Sequence, residues 1–183
     1  MSCASDPRVV LTLDAGGTKF AFSAVQGDRE VVEAVTLPSN ADDLTLCLHT
    51  IVEGFTKVKE QAPAAPVAIS FAFPGPADYP TGIIGDLGNL PAFKGGGIAL
   101  GPMLEDRFGV PVFMNNDGDL FALGEAIAGL LPWANGLLAA GGSPKRFRNL
   151  FGATFGTGFG GGIVQDGRLW QGDNSAGGEI WLF

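Results

Sequence analysis

Val9-Val10-Leu11-Thr12-Leu13-Asp14-Ala15-Gly16-Gly17-Thr18-Lys19-Phe20-Ala21-Phe22-Ser23-Ala24-Val25 reads as two apolar runs joined by a glycine turn with a carboxylate on its entry side. β-branched and aromatic runs flanking a Gly-Gly pair predict an antiparallel hairpin. Gly16 and Gly17 lack the Cβ atoms that keep an anion from the backbone, and they allow positive φ, so consecutive N–H groups can converge on one phosphate oxygen. Thr18 adds a hydroxyl and Lys19 a charge. Asp14 closes a strand read as buried, where a carboxylate needs a partner or a hydrated cation beside it. The same residues suit an ordinary Gly-Gly hairpin with Asp as a turn former, and the turn alone does not separate the two readings.

Composition bounds the partners. With 46% hydrophobic and 16% charged residues, the 183-residue chain encodes a real core. A formal charge of −8 opposes long-range attraction to nucleic acid or to an anionic membrane, so neither is expected to bind. Glycine supplies 29 residues, roughly twice the usual ~7%, clustered between apolar runs without a fixed period, which suggests loops that approach a ligand closely. Cys3 and Cys47 lie far apart without a ligand pattern, so neither a disulfide framework nor a zinc site is encoded. No run reaches the ~18 apolar residues of a membrane span, and the first residues lack a leader's basic and apolar regions, so a cytoplasmic protein is expected.

Farther along, apolar runs at 9–14, 19–25 and 31–37 predict an antiparallel meander. Leu44, Cys47, Leu48, Ile51, Val52, Phe55 and Val58 form one helical stripe over 41–60, capped by Ser39 with Asp42 or Asn40 with Asp43. His49 lies off the stripe as an ordinary helix residue. Val67–Phe73 is a continuous apolar run suited to a buried parallel strand, ended by Pro74-Gly75-Pro76. A short strand at Ile83-Ile84, a loop over 87–93, a short helix ending at Phe108-Gly109 and a strand from Val110 to Met114 complete a β-β-β-α-β-α-β order, an α/β domain with a mixed sheet. Asn116 can cap the next helix with Asp119 as its capping-box partner, which places Asp117 in the first turn at a strand's carboxyl end. There it is either a carboxylate complementing the helix dipole or a base facing a ligand. Residues 132–149 read as a linker with one helical turn and a solvated basic cluster.

Leu150–Phe155 is again a strand, Gly156-Thr157-Gly158-Phe159-Gly160-Gly161-Gly162 a glycine turn, and Ile163-Val164-Gln165 a strand ending at Asp166-Gly167. Gly156, Gly158 and Gly161 satisfy G-x-G-x-x-G, but the glycines lead into a strand and not into the helix that a dinucleotide fingerprint requires. Two matched strand, Gly-Thr turn, strand units opening two successive lobes imply a duplicated fold that holds a nucleotide.

With these motifs in order, the chain resembles the ROK family of sugar kinases in the actin-like ATPase superfamily. The matching segments are Asp14–Lys19, Asn116-Asp117-Gly118-Asp119-Leu120-Phe121-Ala122-Leu123-Gly124-Glu125, Gly156–Gly162 and Ala176-Gly177-Gly178-Glu179-Ile180. The resemblance implies an actin-like, ribonuclease H-like lobe over 1–131, a linker over 132–149 and the opening of a second, similar lobe over 150–183. It implies transfer of the ATP γ-phosphoryl group to a hexose hydroxyl, the 6-hydroxyl, with Asp117 as general base. Asn89, Asn116 and Glu179 would join Asp117 in binding the sugar. Asp14 would hold Mg²⁺ through water, and Gly16, Gly17, Thr18, Lys19, Gly156, Thr157 and Gly158 would surround the phosphates. For Asn89 a plain turn-former role suits equally well. A homodimer is usual in such a family.

The chain departs from the family where Gly178-Glu179-Ile180 continues as Trp181-Leu182-Phe183 in place of a Gly-His pair, and no cysteine cluster follows, so no structural zinc is expected. Such kinases carry roughly a hundred further residues. The expectation is therefore a partial second lobe with an exposed apolar face on its hairpins and weak activity alone. A non-catalytic sugar-sensing or binding module of the same family is the alternative. The repressor form is disfavoured, since only about eight residues precede the first strand, too few for a helix-turn-helix.

Overall fold

The computed structural model describes residues 5–88, 90–155, 159–173, 177 and 178. In chain order its elements are β1 (Val9–Ala15), β2 (Lys19–Gln26), β3 (Arg29–Glu30), β4 (Val35–Pro38), α1 (Leu44–Gln61), β5 (Pro66–Ala72), β6 (Ala77–Asp78) and β7 (Ile83–Ile84). A 3-10 turn (Pro91–Phe93), β8 (Ile98–Ala99), α2 (Leu100–Phe108), β9 (Val112–Asn115), α3 (Asp117–Ile127), α4 (Leu130–Ala140), β10 (Leu150–Phe155), β11 (Phe159–Gln165) and β12 (Arg168–Leu169) come after them. They form two compact units, Met1–Asn115 and Asn116–Phe183.

In the first unit a mixed sheet runs β3-β2-β1-β5-β9, with β4 also paired to β2. β1 and β2 are antiparallel from Val9↔Gln26 to Ala15↔Phe20. β1 with β5 and β5 with β9 are parallel, as the continuous apolar run of β5 requires. The expected third strand is two pieces: β3 pairs with Val25 and Gln26, β4 with Lys19–Phe22, and Val31–Ala34 leaves the ladder between them. β6, β7 and β8 make a small separate antiparallel sheet.

One aromatic layer joins helix to sheet. Phe20 and Phe22 alternate onto the buried face of β2 and Phe71 lies on that of β5, with Phe73 just beyond its end. Phe55 of α1 meets Phe22 at 5.2 Å and Phe71 at 5.8 Å between ring centroids, and Phe73 reaches Phe93 at 5.4 Å. Fully burying each such ring contributes roughly 1.5–3 kcal/mol. Cys47 lies in the same layer, and burial pushes its thiol up to about 11, which keeps it protonated and inert at neutral pH.

Helix α1 starts at Leu44, and its cap is Asp43, whose side chain accepts the Leu46 N–H at 3.0 Å. Ser39 and Asn40 are engaged elsewhere, which corrects the expected cap: Asn40 adopts φ 51° and donates its Nδ2 to Thr50 Oγ1 at 2.8 Å. Helix α2 ends as expected on Gly109, which is left-handed at φ 68°.

In the second unit β10, β11 and β12 form an antiparallel sheet, and α3 packs on β10 and β11. The two compact units meet at Asn115/Asn116, so α3 and α4 both belong to the second. The stretch read as a linker begins with an 11-residue helix, α4. Pro132 falls in its first turn, where a missing N–H costs nothing.

Asp117–Ala140 is apolar and long enough by composition to cross a membrane. It is nevertheless two helices of 11 residues. Glu125 Oε2 accepts the Leu130 N–H at 2.7 Å at the break. Each helix is about 16 Å long, well short of a ~30 Å hydrocarbon core.

Gly54 faces Phe22, and a Cβ there would enter the Phe22 ring. In an open helix Gly→Ala stabilises by about 1 kcal/mol. Here Phe20 and Phe55 hold the Phe22 ring edge-on from two sides, so it has little room to yield. Gly54→Ala is expected to destabilise by about 1–3 kcal/mol in urea unfolding, and a stabilised variant would refute this packing.

Candidate functional site

Alternation along β1 sends Val9, Leu11 and Leu13 into the core and leaves Asp14 on the other face, exposed. This corrects the expectation that Asp14 is buried and needs a compensating partner. Its carboxylate stands in solvent at the rim of the turn and can be approached by a hydrated cation. The turn itself is Gly16–Thr18, between Ala15↔Phe20 on the β1 side and Lys19↔Pro38 on the β4 side.

Gly16 and Gly17 both avoid the left-handed region, so the turn does not use the positive φ expected of it. Gly16 is required for space, because a Cβ there would lie 2.9 Å from the Lys19 carbonyl oxygen. A Cβ at Gly17 would meet nothing within 4 Å and would fill open space beside the turn. Thr18 and Lys19 are exposed. Two bonds from one residue hold the turn: Ser39 Oγ donates to the Gly17 carbonyl at 2.8 Å, and Ser39 N–H donates to the Thr18 carbonyl at 3.1 Å. Ser39 is 2% exposed. Sequence reasoning assigns it to the helix cap, because a Ser just before a helix carries the same local signal in either role.

The second group belongs to the other unit. Asn116 caps α3 as expected, its Oδ1 accepting the Gly118 N–H at 2.8 Å. Asp117 occupies the first position, exposed, and its own Oδ1 accepts the same N–H at 2.9 Å. One carboxylate oxygen is thereby oriented by the backbone at a positively polarised helix end. Gly118 lets this helix start sit on β11, since a Cβ there would come within 2.6 Å of the Gly161 nitrogen. Asp119, expected in a capping box, is 2% exposed, and a Cβ at Gly162 or Gly178 would lie 3.0 or 2.7 Å from its Oδ1. Phe155 and Phe159, at the facing ends of β10 and β11, stack at 4.9 Å.

Asn89, Gly156, Thr157, Gly158 and Glu179 lie outside the described residues. Among the described residues no group of three or more His, Cys, Asp or Glu could cage a metal. A single exposed carboxylate beside an open turn fits Mg²⁺ brought by a nucleotide and held through water, the usual habit of a cation that keeps its hydration shell. A depression of about 550 Å³ lined by Ile127, Leu131, Asn135, Phe147, Arg148 and Asp166 lies at the other end of the second hairpin and includes none of the candidate residues.

A mixed sheet with β1, β5 and β9 parallel, a glycine hairpin at the end of β1 and an Asn-Asp helix start resting on a second glycine hairpin define an α/β protein of the actin-like ATPase class. Residues 10–180 match the ROK family, and the chain belongs to it. An N-acetyl-D-glucosamine kinase of Vibrio vulnificus is 34% identical over 167 residues, 91% of this chain and 50% of that protein. A glucokinase structure from Parabacteroides distasonis superposes with a TM-score of 0.88 at 60% identity, over 99% of this chain and 51% of that one. A ROK hexokinase from Thermus thermophilus gives 0.74 at 28% identity, over 94% and 52%. The chain thus spans about half the length of these relatives.

Replacing Asn116 by Ala removes one acceptor from the Gly118 N–H and is expected to lower unfolding stability by about 1 kcal/mol. Asn116→Asp, which keeps an acceptor at the cap, should stay within a few tenths of wild type in the same thermal or urea unfolding assay. Equal losses in the two variants would show that the cap is not what Asn116 contributes.

Proposed function

We propose that the protein phosphorylates a hexose, glucose or N-acetylglucosamine first among candidates, with Mg·ATP as donor and Asp117 as general base. The observation that carries this is the pose of Asp117. It is exposed at a helix N-terminus, with Oδ1 accepting the Gly118 N–H, on a helix fixed against the second glycine hairpin. The names of the relatives, an N-acetyl-D-glucosamine kinase and glucokinases, support the sugar class.

When bound, Mg·ATP supplies the γ-phosphoryl group and neutralises part of its charge. The remaining work falls to residues of this chain. Asp117 takes the proton of the sugar hydroxyl, the 6-hydroxyl, as that oxygen bonds to phosphorus and ADP departs. A weakly basic carboxylate suffices, because a loose phosphoryl-transfer transition state needs positioning more than a strong base. Asn116, together with Asn89 and Glu179, would hydrogen-bond the sugar's hydroxyls. Asp14 would hold the hydrated Mg²⁺, and Gly16, Gly17, Thr18, Gly156, Thr157 and Gly158 would receive phosphate oxygens, with Lys19 peripheral. Residues 1–131 would form the first actin-like lobe, 132–149 the connection and 150–183 the opening of the second lobe.

The test is ADP release by the protein as its gene encodes it, over a panel of glucose, N-acetylglucosamine, mannose, N-acetylmannosamine and fructose. Asp117→Asn should lower kcat by about 10²–10⁴-fold on the preferred sugar while its calorimetric Kd for that sugar moves less than about threefold. Sugar binding with no sugar-dependent ADP release in wild type would assign the protein instead to sensing or binding.

A further inference from the structure

Ser39 lies between β4 and α1 and is held there from both sides. Pro38 closes the β4 ladder opposite Lys19, and Asn40, left-handed at φ 51°, ties the following segment to α1 through Thr50. The Asn40 carbonyl also accepts the Asp43 N–H at 3.1 Å, one residue before the helix starts. A nearly inaccessible hydroxyl in such a frame has one direction to point, and it points at the β1–β2 turn.

The two bonds from Ser39 draw two successive carbonyls of the turn, those of Gly17 and Thr18, toward the same residue. In a trans peptide the C=O and the following N–H point in opposite directions. The Gly17 carbonyl shares its peptide plane with the Thr18 N–H, and the Thr18 carbonyl shares its plane with the Lys19 N–H. Fixing both carbonyls on the Ser39 side therefore turns both amides to the opposite side. Two consecutive N–H groups with one aim form a concavity that attracts an anion. Strand pairing alone does not produce this, because in a regular strand successive carbonyls alternate sides.

We infer that Ser39 is a positioning residue for phosphate: it touches neither nucleotide nor sugar, but by anchoring the Gly17 and Thr18 carbonyls it aims the Thr18 and Lys19 amides at a phosphate oxygen of the nucleotide. This rests on the reading of the turn as a phosphate site. Ser39 supplies a backbone and a side-chain donor, and only the second is lost in Ser39→Ala.

The experiment compares wild type, Ser39→Ala and Ser39→Thr by calorimetric titration with Mg·ATP and, separately, with the preferred hexose. Loss of one oriented hydrogen bond is expected to weaken Mg·ATP by roughly fivefold to tenfold in Ser39→Ala. Hexose affinity stays within twofold, and Ser39→Thr, which keeps the hydroxyl, recovers most of the loss. Unchanged Mg·ATP affinity in Ser39→Ala, or equal weakening of both ligands, overturns the positioning role. In amide-resolved NMR of the wild-type protein, which does not depend on any variant folding, Mg·ATP should shift the Thr18 and Lys19 amide signals more than those of Ala15 and Gly16. Mg·ATP binding with those two signals unmoved overturns the inference while leaving the kinase reading standing. Absence of Mg·ATP binding in wild type overturns the phosphate reading of the turn and the role of Ser39 with it.

Discussion

A β-strand offers its side chains to two faces in strict alternation, and on β1 that constraint decides where the candidate site of the first unit lies. With Val9, Leu11 and Leu13 committed to the aromatic layer beneath α1, Asp14 has to emerge on the opposite face, and the chain reverses two residues later. A slip of one residue would bury the carboxylate and expose the three aliphatics. β1 also has β2 on one edge and β5 on the other, so the turn after it is anchored to the middle of the sheet and not to its rim. The end of a central parallel strand is where open α/β sheets receive ligands, and here the first candidate carboxylate and its glycine turn are placed there by core packing alone.

In the second unit the deciding constraint is the absence of side chains. Gly118 and Gly162 let the first turn of α3 and the strand β11 approach until a single added Cβ would strike backbone, and Gly152 and Ala122 continue the contact one turn along. Close approach trades apolar burial for precision: backbone meets backbone without a rotatable intermediary, so the Asn116-Asp117 start is located as tightly as the strand itself. The glycine abundance of the chain has this as one of its causes, distinct from turn formation. The outer face of the same hairpin is differently made, with Phe151 and Phe155 largely exposed.

The legible part of the sequence is that in which one local signal has one physical meaning. The run Val67–Phe73 can only be a strand, largely buried though Val67 at its start is exposed, the Gly-Gly turn between two apolar runs can only be a hairpin, and Gly109 can only end a helix. Misreadings come where a signal has two solutions. Ser39, Asn40 and Asp43 each suit a helix cap, and which of them takes that role depends on what β4 and the β1–β2 turn demand of the other two, a tertiary matter. Pro132 and Gly136 argue for a linker, yet a proline in the first turn is compatible with a helix, and packing on α3 favours α4. Asp14 reads as buried because it ends an apolar run, although the alternation of that run already directs it outward.

How a chain of charge −8 would hold a triply phosphorylated nucleotide is the remaining physical question, and the first hairpin suggests an answer. A field of like charge raises the energy of an approaching anion over distances of a Debye length, about 8 Å at physiological salt, but inside that range local donors dominate. Backbone amides add attraction without adding net charge, and they do so only if their carbonyl ends are satisfied elsewhere, since each peptide dipole has both. A residue such as Ser39, buried and donating twice, occupies the carbonyl ends; the glycines remove the atoms that would block the amide ends; Asp14 needs only to meet the cation that travels with the ligand. On the proposed reading, selectivity against bare phosphates would arise from the overall charge, because an anion without its Mg²⁺ would meet both the net negative field and an exposed carboxylate at the rim, whereas the metal complex would be attracted by that carboxylate. Acidity of the chain and the proposed recognition of a polyanion are in this way compatible, since net charge acts at long range and oriented dipoles act at contact.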